Sequence, residues 1–253
     1  MHRNDFYDSL QSKLTECLLS QVTDILGKLS FVQVGAADGV FGDPVYDMIK
    51  QGRWTGVLVD ALKEHCERLK IRYAEDKAIK IVNSVVCDHV GESEFFAVVD
   101  ANDLGRSRLS SMSYDMINKH KRLAGDIEEK IQIRKLRSDT LDNICLSNQV
   151  AQPDAIFVDA EGVDDIIIRS FDFKRFVPHI VFFEHMHIPV DRLMDLNVIL
   201  ERVGMQRVCL WADTIYISDE LLEDECVRSV ADAAAVLFKE RDGVWGNGNW
   251  YQT

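Results

Sequence analysis

Proline is scarce in this chain, with four among 253 residues, and no stretch rich in proline, glycine or serine reads as a linker. No segment repeats. No apolar run approaches the roughly 20 residues that a membrane span requires. The first residues, Met1-His2-Arg3-Asn4-Asp5, lack the apolar centre of a secretion signal, so the expectation is a cytoplasmic protein with no membrane partner. Basic residues are also short: 29 Lys and Arg stand against 42 Asp and Glu, a net charge of −13. That field repels phosphodiester backbones and argues against nucleic acid as a partner. The six cysteines, at 17, 66, 87, 145, 209 and 226, are widely spaced and include no Cys-x-x-Cys, which argues against disulfides and a thiolate-zinc site and makes most of them small core residues.

What is present is alternation. Apolar positions Leu10, Leu14, Cys17, Leu18, Val22, Ile25 and Leu26 predict an amphipathic helix over 5–28, stopped near Gly27. Strand-like runs follow at 31–34, 56–60, 79–86, 93–99, 131–137, 155–160 and 179–184. Helices are expected between most of them: one entered through Asp43-Pro44, then 62–74, one begun at Ser138 or Asp139, and one from Asp164. A helix at 190–203 precedes strands 205–211 and 213–218, which have room only for a tight turn and should pair antiparallel. A helix at 219–239 leads to a tail in which Trp245, Trp250 and Tyr251 either pack or stack on a ligand. Strands alternating with helices mean an α/β fold with a mostly parallel sheet covered on both faces. The expected organisation is a helical extension over 1–29, then one domain over 30–253 with a polar excursion inserted at about 101–137.

Ligands of such sheets bind beyond the carboxyl ends of the strands. Here those ends are Gly35–Gly39, Asp60, Asn83–Ser84, Asp159–Glu161 and Glu184–His187. The run Phe31-Val-Gln-Val-Gly35-Ala-Ala-Asp38-Gly39 is a buried-type strand entering a glycine-bounded turn. Gly35 and Gly39 are expected to let the backbone approach a cofactor. Asp60 falls 21 residues after Gly39, where a carboxylate can accept from both hydroxyls of a ribose. A dinucleotide site would carry Gly-x-Gly-x-x-Gly, but Ala37 and Val40 replace the later glycines, and Asp38 is unfavourable beside a pyrophosphate. S-adenosylmethionine, cationic and without phosphate, suits a carboxylate-rich turn better.

Taken together, Val34-Gly-Ala-Ala-Asp-Gly-Val40, Gly42-Asp43-Pro44, Trp54-x-Gly56-Val-Leu-Val-Asp60, Ser138-Asp-Thr-Leu-Asp142, Phe157-Val-Asp159-Ala-Glu161-Gly162 and Val181-Phe-Phe-Glu184 resemble the FkbM family of methyltransferases over roughly residues 30–185. That family usually shows Glu-Pro where this chain has Asp60-Ala61. The resemblance implies a class I methyltransferase fold, Rossmann-like, with a seven-stranded sheet and an antiparallel C-terminal hairpin. It implies methyl transfer from S-adenosylmethionine to a hydroxyl of a sugar, a nucleotide sugar or a secondary metabolite. Carried over by position, Gly35, Ala36 and Gly39 would form the cofactor turn, Asp60 with Ala61 the ribose clamp, and Asn83, Ser84 or Val85 the adenine edge. Gln33, Asp38 or Asp159 would meet the methionine end.

A sugar hydroxyl is a poor nucleophile, so a general base or a divalent metal should assist. The catalytic candidates are Asp159, Glu161, Glu184 and His185. A magnesium or manganese ion would draw on Asp159, Glu184 and His185, although the same groups could hold only a proton network. Glu161 also reads as a cap for the helix begun at Asp164. Arg106, Arg108 and Ser110, in the aperiodic run 105–113, read as either a mobile loop or a lid facing the acceptor, and His187 joins them as an acceptor contact. The rival readings are an NAD(P)-dependent oxidoreductase and a binding module that kept the fold without catalysis. Homo-oligomerisation through the first helix stays open.

Overall fold

A computed structural model gives the structure of the protein and describes residues 3–40, 42–100, 104–124 and 127–238. Strand β1 (Leu29–Val34) is apolar on both sides, as the centre of a doubly covered sheet must be. Leu29 and Phe31 face one layer and Val32 and Val34 the other. Strand β2 (Trp54–Asp60) repeats the division, with Trp54 and Leu58 on the first side and Val57 and Val59 on the second. Strands β3 (Ile79–Asn83), β7 (Ala155–Val158), β8 (Ile180–Glu184), β9 (Met205–Cys209) and β10 (Asp213–Ser218) complete a sheet ordered β3-β2-β1-β7-β8-β10-β9. Every pairing from β3 to β8 is parallel; β10 alone runs against its neighbours, in a hairpin with β9.

Helices α1 (Arg3–Leu26), α2 (Tyr46–Lys50), α3 (Lys63–Arg72) and α8 (Glu225–Phe238) supply the first layer. Helices α5 (Leu141–Ser147), α6 (Asp164–Ser170) and α7 (Val190–Glu201) supply the second. Helix α1 is bound into the core by Leu18, Leu19 and Val22, and its Thr23 hydroxyl accepts from the Trp54 indole at 2.9 Å. Gln11 on the same helix holds the β9–β10 turn, accepting from the Ala212 amide at 2.7 Å and donating to Asp213 at 2.5 Å. No described helix is long and apolar enough to cross a membrane.

The structure departs from the sequence reading in four places. The run 79–86 is broken after Asn83: Val85–Val86 form β4, the edge of a second sheet ordered β4-β6-β5, with β5 at Gly91–Val98 and β6 at Ile131–Asp139. The polar stretch between β5 and β6 contains a 3-10 turn at Leu104–Leu109 and helix α4 (Tyr114–Ala124), whose Ile117 packs with Phe96, Val98 and Ile127 in a small core of its own. Asp43 does not cap a helix directly; its Oδ1 accepts from the Val45 amide at 2.8 Å and α2 begins only at Tyr46. The expected helix over 219–239 resolves into a 3-10 turn at Leu221–Glu223 and then α8. Trp245, Trp250 and Tyr251 lie outside the described residues.

Candidate active site

A cavity of about 300 Å³ opens over the carboxyl ends of β1, β2, β7 and β8 and under the 104–112 segment, within the size range of small-molecule sites. Gln33, Gly35, Ala36, Asp60, Ala61, Ser84 and Asp159 line it, as do Glu161, Arg108 and Ser110. Both glycines of the turn sit where a Cβ would collide with protein. Gly35 has φ +78°, and a Cβ there would fall inside the Asp159 carbonyl on β7. Gly39 has φ +67°, and a Cβ would meet Leu69 Cδ2 at 2.7 Å. Gly35 lets the turn nest against β7 while lining the cavity, and Gly39 packs on α3 outside the lining.

Asp60 fastens that turn to the next helix. Its Oδ2 accepts from the Ala37 amide at 2.9 Å, its Oδ1 from the Leu62 amide at 2.8 Å, and His65 Nδ1 lies 3.0 Å from Oδ1. A carboxylate has about four acceptor sites, so hydroxyls can still be bound from the cavity. Three expected cofactor residues lie outside the lining. Asp38 accepts from the Val40 amide and from Arg108 at 2.6 Å, and Gly39 is packed on α3. The Asn83 amide donates to the Asp60 and Ala61 carbonyls at 3.0 and 2.9 Å, leaving Ser84, Val85 and Val86 as the wall at that end.

The cavity is acidic and poorly neutralised. Burial, then the Glu161 charge, pushes the Asp159 carboxyl up to about 7. Burial pushes Asp43 up to about 6 and lifts Asp213 well above the carboxylate range, with Asp159 adding to the latter. Glu184, behind the wall, is lifted in the same way by burial and then by Glu161 and Asp159. Gln33 Oε1, Asp43 Oδ2 and Glu184 Oε2 are buried without a hydrogen-bond partner. Such acceptors are costly unless a donor or cation meets them.

The turn after β7 is built around Glu161, which has φ +51°. A left-handed non-glycine residue costs about 1–3 kcal/mol and persists only where its surroundings fix it. Here Ser111 donates to the Glu161 carbonyl at 2.7 Å, and Gly162, at φ +90°, lies against Met116 so closely that a Cβ would meet its Cγ. Asp164, not Glu161, ties the turn by accepting from the Ala160 and Gly162 amides at 3.2 Å each. The Glu161 carboxylate is therefore released for other work, and its Oε2 lies 3.3 Å from His120 Nε2 on α4. Burial lowers His120, but the Glu161 contact outweighs it and the net shift is upward.

The expected metal group of Asp159, Glu184 and His185 is not assembled. His185 follows Phe183 onto the far side of β8, where its Nδ1 meets Thr214 Oγ1 at 2.8 Å in a fully buried setting, and burial lowers its pKa strongly. His187 Nε2 is 3.6 Å from Glu184 Oε2, and burial brings it down to about 4. Arg106 turns to Asp100 at 3.7 Å, away from the cavity. Ser110 donates to the Ser107 carbonyl at 2.6 Å and accepts from the Val98 amide at 2.9 Å. Sequence reasoning missed Asp43 as a cavity wall, His65, Asp213 and His120. A visible signal existed for the last: Met116, Ile117 and His120 share one face of a helix.

A sheet ordered 3-2-1-7-8-10-9 with one reversed strand, carrying its cavity beyond β1, β2 and β7, defines a class I methyltransferase fold. A family model described as the methyltransferase FkbM domain matches residues 33–204, more than half of the chain, and the chain belongs to that family. The chain is also similar to several solved structures at low identity. The FkbM methyltransferase from Methylobacillus flagellatus KT is 13% identical with a TM-score of 0.48, over 75% of this chain and 43% of that one. The chain thus spans less than half the length of that relative. A precorrin-6y C5,15-methyltransferase from Geobacter metallireducens GS-15 is 11% identical (TM-score 0.39, 80% and 84% covered). A ribosomal protein L11 methylase from Lactobacillus delbrueckii subsp. bulgaricus is 12% identical (TM-score 0.38, 79% and 74% covered). No curated protein matches the chain.

Proposed function

We propose that the chain transfers the methyl group of S-adenosylmethionine to a hydroxyl oxygen of a small acceptor, a sugar, a nucleotide sugar or a secondary metabolite. The observation that carries this reading is the acidic lining: Asp43, Asp60, Asp159, Glu161 and Asp213 converge on one cavity whose wall, among the described residues, holds a single arginine, Arg108, itself paired with Asp38. Buried acceptors in excess of donors select a cation, and a dinucleotide's pyrophosphate is the wrong sign. When bound, S-adenosylmethionine supplies an electrophilic methyl on a cationic sulfur. The oxidoreductase alternative falls with the family assignment.

The chain's own residues divide the work. Asp60, held by two backbone amides, takes the ribose hydroxyls. Ser84, Val85 and Val86 form the wall for the adenine ring, and Gln33 and Asp43 offer unpartnered oxygens to the methionine ammonium. Asp159, at the end of β7, accepts the proton of the acceptor hydroxyl as the new carbon–oxygen bond forms and the sulfur takes the electron pair of the broken one. Holding oxygen and methyl in line within a walled cavity supplies much of the rate. Titration calorimetry tests the cofactor assignment: one equivalent each of S-adenosylmethionine and S-adenosylhomocysteine should bind, and NADH should not. Heat with NADH alone would overturn it.

A further inference from the structure

We infer that His120, Glu161 and His187 form a binding site for one first-row divalent transition-metal ion, at the edge of the cofactor cavity. Each residue offers one ligand atom, and the three atoms lie within 4.8 Å of one another. They come from three separate elements: α4, the turn after β7 and the turn after β8.

The hydrogen bonding points to a cation between them. His120 Nδ1 lies 2.9 Å from the Leu109 carbonyl, which can only accept, so Nδ1 carries the hydrogen. In the neutral ring, Nε2 then presents its lone pair to Glu161 Oε2 at 3.3 Å, an acceptor facing an acceptor. Something positive has to stand there. A proton would join those two atoms only. A metal ion also engages a third ligand, the partly buried His187, whose ligand atom lies within 4.8 Å of the other two. Two imidazoles and one carboxylate fit a metal ion and leave its remaining positions open. The Nδ1–H to carbonyl bond is the outer support that metal-bound histidines generally use.

The donor set also selects the ion. Two nitrogens among three ligands suit Zn²⁺, Mn²⁺, Fe²⁺ or Co²⁺, whereas Mg²⁺ and Ca²⁺ prefer all-oxygen shells. The supporting geometry is rigid: Glu161 keeps its left-handed backbone because Ser111 holds its carbonyl and Gly162 seats on Met116. Because Glu161 also lines the cavity, an acceptor oxygen can reach the open positions. The site is independent of which methyl donor binds.

The test uses the full chain, stripped with a chelator and titrated with Co²⁺ and Zn²⁺. One equivalent of Co²⁺ should give visible d–d absorption, and Zn²⁺ should displace it. His187→Gln and Glu161→Gln should each weaken binding by more than about a hundredfold, beyond the loss typical of outer-shell changes. Unchanged circular dichroism would exclude unfolding, and His120→Gln is the alternative where a variant misfolds. The other His/Cys/Asp cluster, a buried Cys87 with exposed Asp88 and His89, is the internal control: His89→Ala should leave binding untouched. No binding at 100 µM ion, binding indifferent to His187→Gln and Glu161→Gln, or binding abolished by His89→Ala would each overturn the site.

Discussion

Replacing Asp43 with asparagine should make the cofactor-free protein more stable and its hold on S-adenosylmethionine weaker, with both effects set by pH. Burial dominates the environment of this carboxyl and Asp38 opposes its ionisation further, while the Val45 and Tyr46 amides and Gln33 favour it; the balance lies at about 6 against 3.8 for the unperturbed group. A folded-state value above the unfolded one means stability that is fully present below pH 3.8 and lost as pH rises through about 6. The difference amounts to about 3 kcal/mol at pH 7.5, and about half of that is already lost at pH 5. Asparagine keeps the Oδ1 acceptor for the Val45 amide and carries no charge. The melting temperature of the apo variant should therefore exceed wild type by roughly 5 °C at pH 7.5 and by about half as much at pH 5.

The cofactor reverses the sign. A bound cation requires Asp43 ionised, so wild-type affinity should fall about tenfold between pH 8 and pH 5 through this group alone. The variant should bind more weakly at pH 8 and lack that part of the slope. Thermal melts give the first quantity, and calorimetry in buffers of different ionisation heat gives the second as proton release. A variant that melts below wild type at pH 7.5, or that shows an undiminished pH slope, would refute the reasoning.

Three further outcomes are expected. Asp159→Asn should lower methyl transfer to a competent hydroxylated acceptor by about 10²–10⁴ while S-adenosylhomocysteine affinity stays within a few-fold, as measured by steady-state rates beside calorimetry; equal loss of both would move Asp159 to the cofactor shell. Gly162→Ala forces a Cβ against Met116 Cγ and should cost about 1–3 kcal/mol in a denaturant melt, part of it recovered by Met116→Ala in the same chain. His185→Gln should destabilise by about 1–2 kcal/mol through the lost Thr214 contact and leave cofactor affinity unchanged; weakened binding would return His185 to the site.

The fold was legible because its strands carry their own period. Leu29, Phe31, Val32 and Val34 declare a strand buried on both faces, and Trp54, Val57, Leu58 and Val59 do the same for its neighbour. The acidic strand ends were legible for the related reason that a carboxylate after an apolar run marks a sheet's ligand side. Contacts were not legible where the backbone leaves extended geometry. Glu161 sits at φ +51°, so its side chain reaches His120, a contact no count of alternating positions predicts. His185 failed in the other direction: one residue past Glu184 it remains in strand phase with Phe183 and is carried to the opposite face. The 101–127 stretch was opaque because its few apolar residues, Met116 and Ile117 among them, find their partners on β5 and the Gly162 turn, far along the chain. Gly35 and Gly39 were legible as a turn, though not the packing against Asp159 and Leu69 that also requires them.

The central claim is that the cavity between Asp60 and Asp159 receives adenosine joined to a charged sulfur. A crystal structure with S-adenosylhomocysteine tests it most directly. The account predicts ribose hydroxyls on the Asp60 carboxylate, adenine against Ser84–Val86, and the sulfur facing Asp159. Density for the ligand elsewhere, with that space closed by side chains, would contradict it.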